Sequence, residues 1–368
     1  MNGVRESLGA APMLDWPVQD TETVDACPAC ASPRRHPLHA DLRDIAFASA
    51  PGAWTLVACD ACACAYLSRR PTPDTLGRAY ATYYTHEGSQ SALAQAGLGR
   101  IDRLRKALAN GQRNRVYGSR LRPSLDLLGA LAARLLPAAR ARVEREAPGL
   151  LGVRPKKHGE SKLLDIGSGS GRLLDLARSA GWVAMGIEPD PTAAAVARSN
   201  GNQIIAASVE GLPATLNGSF ERIVLSHVIE HVVDPPALLR HCRRLLAPDG
   251  TLWLETPNLD SLGHEFFGAD WRGLEPPRHL VLFRRAGMSA LLESAGFTHV
   301  AHSAPRDMAP ILFEISAQIR VGRRNGTHAL SAVPADERAQ VAHAARRAQR
   351  RLRLEPERAE YITLEARA

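Results

Sequence analysis

Thiols, imidazoles and carboxylates fall into three groups of suggestive spacing in this 368-residue chain. The first is the run LLDIGSGSGRLLDLA at 163–177, where Asp165 stands ahead of Gly167, Gly169 and Gly171. The second is HVIEH at 227–231, together with His279 in WRGLEPPRHLVLF at 271–283. The third is a pair of C-x2-C knuckles, Cys27 with Cys30 and Cys59 with Cys62.

An apolar strand that breaks into alternating glycines and resumes as a helix brings backbone close to a ligand, as in nucleotide-binding folds. A triphosphate loop needs G-x4-G-K-[ST], and no lysine follows Gly171. A dinucleotide loop needs G-x-G-x-x-G, and Arg172 occupies the third glycine position. Asp165 would also repel a pyrophosphate. S-adenosylmethionine carries no phosphate but an ammonium and a sulfonium, so a carboxylate at the strand end favours it. Glu188 in GIEPD, 17 residues beyond Gly171, ends the next strand, where a carboxylate can accept hydrogen bonds from both ribose hydroxyls.

The knuckles have the layout of a zinc ribbon, in which four thiolates complete a tetrahedron and metal binding supplies folding energy. The chain holds six cysteines and its start lacks the layout of a secretory signal, so reduced thiolates rather than disulfides are expected. Spacing favours Cys62 as the fourth ligand, with Cys64 as the alternative; His36 and His39 are not needed. HVIEH also matches the metalloprotease pattern H-x-x-E-H, but it follows directly on a strand and VVDPP cuts any helix short, so peptidase chemistry is set aside.

These groups need elements to hold them. Residues 1–20 lack periodicity and are expected to be a flexible tail, and 21–70 the zinc-ribbon module, with DIAFA, WTLVAC and AYLSRR strand-like. Residues 71–160 read as a basic helical linker. It opens with a helix carrying Tyr80, Tyr83 and Tyr84 and continues as short helices broken at Gly111, Gly118, Pro123 and Pro137. After Lys162 short apolar strands alternate with helices: KLLDIG, VAMGIE, NQIIAAS, RIVLSH, GTLWLET and FTHVAHS. That series predicts a doubly wound α/β fold with a mostly parallel sheet over 161–305. Residues 306–355 read as helical and charged, and AEYITLEARA within 356–368 as a further strand.

Residues 161–303 resemble a class I S-adenosylmethionine-dependent methyltransferase. The resemblance rests on LLDIGSGSGRLL, GIEPD, ASVEGLP and FERIVLSHVIEHVVDPPALLRHCRRLLAPDGTLWLETPN. It implies a seven-stranded Rossmann-like sheet whose last strand, AEYITLEARA, is antiparallel and lies between the fifth and sixth, making 306–355 a helical insertion. It implies donor contacts from Asp165, Gly167, Ser168, Gly169, Gly171, Glu188, Pro189, Ser226 and His227. Adenine contacts pass to Ser208 and Val209, although the family usually carries an acid where Ser208 stands. The ribbon followed by this domain, with WRGLEPPRHLVLF, is similar to a bacterial subgroup that includes sugar C-methyltransferases.

Methyl transfer to a hydroxyl needs the acceptor's proton removed, and His231, His279 and His227 are the candidate bases. Arg278 is a candidate for binding an anionic acceptor, with a salt bridge inside the domain as the alternative. The expected activity is methylation of a small-molecule or saccharide acceptor at a hydroxyl, with structural Zn2+. The alternatives are a C-methyltransferase of a keto nucleotide sugar and, behind it, an RNA methyltransferase or nucleic-acid-binding protein. The net charge of +8 is concentrated between Arg100 and Lys157, where 15 basic residues face 4 acidic ones. Those helices offer peripheral membrane contact, whereas only 5% aromatic residues argue against a nucleic-acid face. No run approaches the roughly 18 apolar residues of a membrane span, and a cytoplasmic protein is expected.

Overall fold

The computed structural model describes residues 15–81 and 99–368 apart from 157 and 305. In chain order its strands are β1 (Thr21–Thr23), β2 (Arg35–Leu42), β3 (Trp54–Cys59), β4 (Ala65–Leu67), β5 (Arg69–Pro71), β6 (Lys162–Ile166), β7 (Val183–Ile187), β8 (Gln203–Ile205), β9 (Phe220–Ser226), β10 (Leu246–Pro257), β11 (Val281–Leu282), β12 (Thr298–His302) and β13 (Tyr361–Arg367). The helices are α1 (Pro73–Leu76), α2 (Arg100–Tyr117), α3 (Asp126–Leu135), α4 (Pro137–Glu144), α5 (Arg172–Ser179), α6 (Pro191–Ser199), α7 (Pro235–Leu245), α8 (Leu262–Phe267), α9 (Arg285–Ser294), α10 (Ala309–Arg324) and α11 (Ala335–Arg351). They form two compact units. One comprises Met1–Thr82, Asn258–Arg284 and Arg306–Glu360, the other Tyr83–Pro257, Arg285–Pro305 and Tyr361–Ala368.

The second unit holds a seven-stranded sheet in the order β12-β13-β10-β9-β6-β7-β8. Six strands run in one direction, and β13 alone lies antiparallel, between β10 and β12. This is the doubly wound, Rossmann-like sheet expected from the strand and helix alternation, with AEYITLEARA in its expected place. Polar punctuation sets the helix starts. Asp190 accepts from the amides of Thr192 and Ala193 ahead of Pro191, and Asp234 from that of Ala237 ahead of Pro235. Because the chain leaves β6 towards β7 and β8 and returns through β9 on the other side of β6, the strand order reverses between β6 and β9. Ligands bind at the carboxyl ends of strands around such a point.

The basic segment joins this unit's core. Tyr117, Val143, Ala147 and Leu150 are buried with Leu163, Leu174, Trp182, Val224 and Trp253. Gly111 does not break a helix as expected; α2 runs through it for 18 residues. It serves close packing instead, because a β-carbon on Gly111 would lie 2.4 Å from the Leu125 carbonyl oxygen, and one on Gly129 of α3 would lie 2.3 Å from the Gly111 backbone. Gly118 (φ +69°) does end α2, as a left-handed cap.

The first unit holds the four-stranded sheet β11-β4-β3-β2 and the pair β1-β5. β3 and β4 fall within WTLVAC and AYLSRR, whereas DIAFA is not a strand. Asp44 at its start accepts from the amides of Phe47, Ser49 and Ala50, which folds it into a turn. The strand before it, β2, tolerates Pro37 because it lies at the sheet edge. Residues 1–14 lie outside the described residues, and Trp16, assigned to the tail, is buried and meets Trp54 edge-on at 5.8 Å. Of the helix expected at 70–88, α1 and a 3-10 turn through Tyr80 are seen, while Tyr83 and Tyr84 lie outside the described residues.

Candidate active site and candidate metal centre

The glycine loop joins β6 to α5. Gly167, Gly169 and Gly171 all have positive φ (73°, 52° and 84°), a region costly for other residues. Space matters as well. A β-carbon on Gly167 would lie 2.6 Å from the Val228 side chain, and one on Gly171 would lie 2.5 Å from the Asn202 amide. Asp165 is the penultimate residue of β6 and Glu188 follows β7; both carboxylates are buried. Glu188 accepts from the Gly169 amide at 2.7 Å and the Asp190 amide at 2.9 Å, so it ties the loop to the start of α6. Burial, with Glu188 adding its charge, raises Asp165 to about 8. The Ser168 hydroxyl is buried without a hydrogen-bond partner.

A ligand with a cation and several hydroxyls answers all three observations. It would stabilise the anionic form of Asp165, engage Glu188 and complete Ser168, so the residues fit S-adenosylmethionine. Pro189 is exposed beside Glu188. Ser208 is exposed and precedes a 3-10 turn in which Val209 is buried, leaving backbone as the polar surface there.

At the end of β9 Ser226 is half-buried, and the next residue, His227, takes φ +55°, a left-handed conformation uncommon outside glycine. The turn brings its ring between two buried carboxylates, Nδ1 being 3.2 Å from Glu230 and Nε2 3.5 Å from Glu255. Thr256 and Thr363 donate to the remaining oxygens of Glu230 and Glu255 at 2.9 and 2.8 Å, and Tyr361 packs edge-on at 4.5 Å. Burial disfavours the imidazolium, but the two carboxylates outweigh it and lift His227 to about 9. Sequence reasoning saw the imidazole and missed Glu255 and Thr363, because they sit on β10 and β13, distant in the chain. His231 ends the 3-10 turn Ile229–His231 and is half-buried.

In the other unit His279 is buried, its Nδ1 2.8 Å from the Gly273 carbonyl and its Nε2 3.6 Å from Glu275. Its neighbour Arg278 is fully buried. It forks onto Asp44 at 2.6 and 2.8 Å, meets Glu275 at 3.0 Å, donates to the Ala79 carbonyl and covers the Phe47 ring. Of the two readings of Arg278, the internal salt bridge is the one observed.

The four knuckle sulfurs of Cys27, Cys30, Cys59 and Cys62 lie within 4.8 Å of one another, with Cys27–Cys62 and Cys30–Cys59 both at 3.6 Å. Thiolates about 2.3 Å from a tetrahedral zinc stand at about this separation, so the set fits the metal. The two knuckles share one backbone form. Ala31 and Ala63, each following a second cysteine, have φ 59° and 58° and donate to the carbonyls of Cys27 and Cys59. Cys62 belongs to the cluster, whereas Cys64 is buried on the approach to β4.

Comparison with known proteins agrees with the sheet and the loop. Residues 129–302, just under half of the chain, match the family described as a methyltransferase domain. Ubiquinone biosynthesis O-methyltransferases of Xanthomonas oryzae pv. oryzae and Xanthomonas campestris pv. campestris are 36% identical over 104 residues, 27% of this chain and 44% of theirs. The chain therefore matches less than half the length of these relatives. Among solved structures, an S-adenosylmethionine-dependent methyltransferase from Archaeoglobus fulgidus is 17% identical, with a TM-score of 0.40 over 65% of this chain and 98% of that one. One from Mesorhizobium loti is 19% identical, with a TM-score of 0.38 over 58% and 93%. The chain carries a class I S-adenosylmethionine-dependent methyltransferase domain.

Proposed function

We propose that this protein methylates a hydroxyl of a small-molecule or saccharide acceptor in the cytoplasm. Support for the donor comes chiefly from two buried carboxylates, Asp165 and Glu188, at the ends of neighbouring strands beside a glycine loop with an unpartnered serine hydroxyl. Support for oxygen as the acceptor atom comes from the relatives, which are named O-methyltransferases.

In this reading Glu188 accepts from the ribose hydroxyls, Asp165 faces the cationic end, Ser168 completes its hydrogen bonding on the donor, and Ser208 and Val209 border the adenine. Gly167, Gly169 and Gly171 let the backbone approach, with Pro189 and Ser226 flanking the donor. S-adenosylmethionine supplies an electrophilic methyl group on its sulfonium. The chain's task is to hold the acceptor oxygen in line with that methyl group and to remove the hydroxyl proton. His227 is held protonated between Glu230 and Glu255, so at neutral pH it acts as a fixed cation rather than a base. The base role falls to His231, with His279 as the alternative. Zinc at Cys27, Cys30, Cys59 and Cys62 is structural, since four protein thiolates leave no open coordination position.

The test is incubation with isotopically labelled donor and fractionated small-molecule and saccharide extracts, followed by assignment of the labelled atom. A methyl ether supports the reading, and a carbon-bound methyl overturns the choice of acceptor atom. Loss of the base lowers kcat by about 100-fold or more. His231→Ala is expected to do so with unchanged donor affinity, and full turnover in both His231→Ala and His279→Ala would remove both from the base role.

A further inference from the structure

The basic segment contributes to the core of its unit through Tyr117, Val143 and Leu150, yet one of its helices is turned the other way. In α3 the buried residues are the small ones, Gly129 and Ala133. The large ones face outwards: Leu127 is 88% exposed, Leu128 52%, Leu131 51% and Leu135 62%. At 100° per residue these four leucines share one arc of about 100°, opposite Gly129 and Ala133. The arrangement is enforced, because Gly129 meets the Gly111 backbone so closely that no larger residue could turn inwards there. An apolar face normally turned to a core is thus held towards solvent by a glycine contact. Leu136, next in the chain, is 55% exposed as well.

Positive charge surrounds this face in the sequence. Arg134 lies on α3 at the edge of the leucine arc, Arg140 and Arg142 lie on α4, and Arg145 follows; all four are exposed. Arg140 pairs with Glu144 at 2.6 Å. Asp126, at the start of α3, points its carboxylate to Asn114 at 2.8 Å.

We propose that α3 and α4 form a docking surface for an anionic lipid bilayer, with Leu127, Leu128, Leu131 and Leu135 inserted among the acyl chains and the arginines set against headgroup phosphates. Leucines on one face and arginines at its margin are the pattern of helices that lie in a membrane interface. A second copy of the chain fits the same face less well. A ten-residue helix offers a footprint about 15 Å long and 10 Å wide, far below the roughly 800 Å² per partner of a stable dimer. A two-fold contact would also set the arginine margin against itself. The inference is independent of which acceptor atom is methylated.

The test uses the full-length protein with two kinds of vesicle, phosphatidylcholine alone and phosphatidylcholine mixed with phosphatidylglycerol. Co-sedimentation with the anionic vesicles only is expected. The Leu127→Gln/Leu131→Gln double variant, which removes the apolar contact without changing the charge, should lose this binding by about 10-fold or more. Both positions are exposed and glutamine suits a helix, so circular dichroism and donor affinity should not change. No sedimentation of the wild type overturns the proposal. So does equal binding by the double variant, which would mean charge alone. A wild-type dimer that the double variant converts to a monomer, measured by light scattering, overturns it in favour of self-association.

Discussion

Asp165 and Glu188 carry the argument at the scale of single residues. In the sequence Asp165 stands out by its position ahead of the glycines, where a negative charge suits a cation. Burial changes the starting state, since a carboxyl raised to about 8 is protonated at neutral pH until a cation reaches it. Donor binding should then release a proton. Affinity should rise with pH below 8, approaching about 10-fold per unit, and level off above it. Calorimetry in buffers of different ionisation enthalpy checks this, and the absence of proton release at pH 6.5 would contradict it. Glu188→Ala should weaken donor binding by about 100-fold, the value of two charge-assisted hydrogen bonds, measured by the same titration. His227 teaches the complementary lesson. An imidazole beside a strand end reads as a base in the sequence, but two buried carboxylates on either side raise its pKa to about 9, which favours the cation at neutral pH.

Among the elements, the strands and helices after Lys162 were legible because each has an apolar rhythm of its own and a polar or glycine boundary. The cysteine module was legible only at its knuckles. DIAFA has strand composition, yet Asp44 collects three backbone amides and the Arg278 guanidinium, and the segment turns. No local rule links Asp44 to an arginine 234 residues away. That pair joins the segment after β2 to the one before β11, so it holds two distant pieces of chain in one unit. Arg278→Met leaves Asp44 buried without its cation, and should cost about 3–5 kcal/mol. Denaturant unfolding followed by Trp54 and Trp271 fluorescence measures the loss, and a cost below about 1 kcal/mol would show that the network is dispensable.

At the scale of the whole molecule, the compact units cut across the chain. The cysteine module is one unit with Asn258–Arg284 and with Arg306–Glu360, which carries α10 and α11. Metal removal should therefore be felt far beyond the knuckles. On chelation, hydrogen exchange should quicken in β2, β3, β4 and β11, while β6, β7, β9 and β10 keep their protection; metal analysis should return one zinc per chain. Faster exchange confined to residues 27–62, with β4 and β11 still protected, would show that the metal supports only its own loops. No helix among the described residues is long and apolar enough to cross a membrane.

By itself the sequence determined the Rossmann-like sheet, the glycine loop with its two acids and the paired cysteines. Each of these depends on spacing within a few residues, where backbone geometry and side-chain reach are fixed by the local chain. Tertiary structure alone decided that Arg278 is spent on Asp44, that His227 lies between two buried carboxylates, and that α3 faces its leucines outwards. Those outcomes depend on partners brought from other strands and helices, and burial, which sets the strength of a charge and the direction of an apolar face, is a property of the assembled fold.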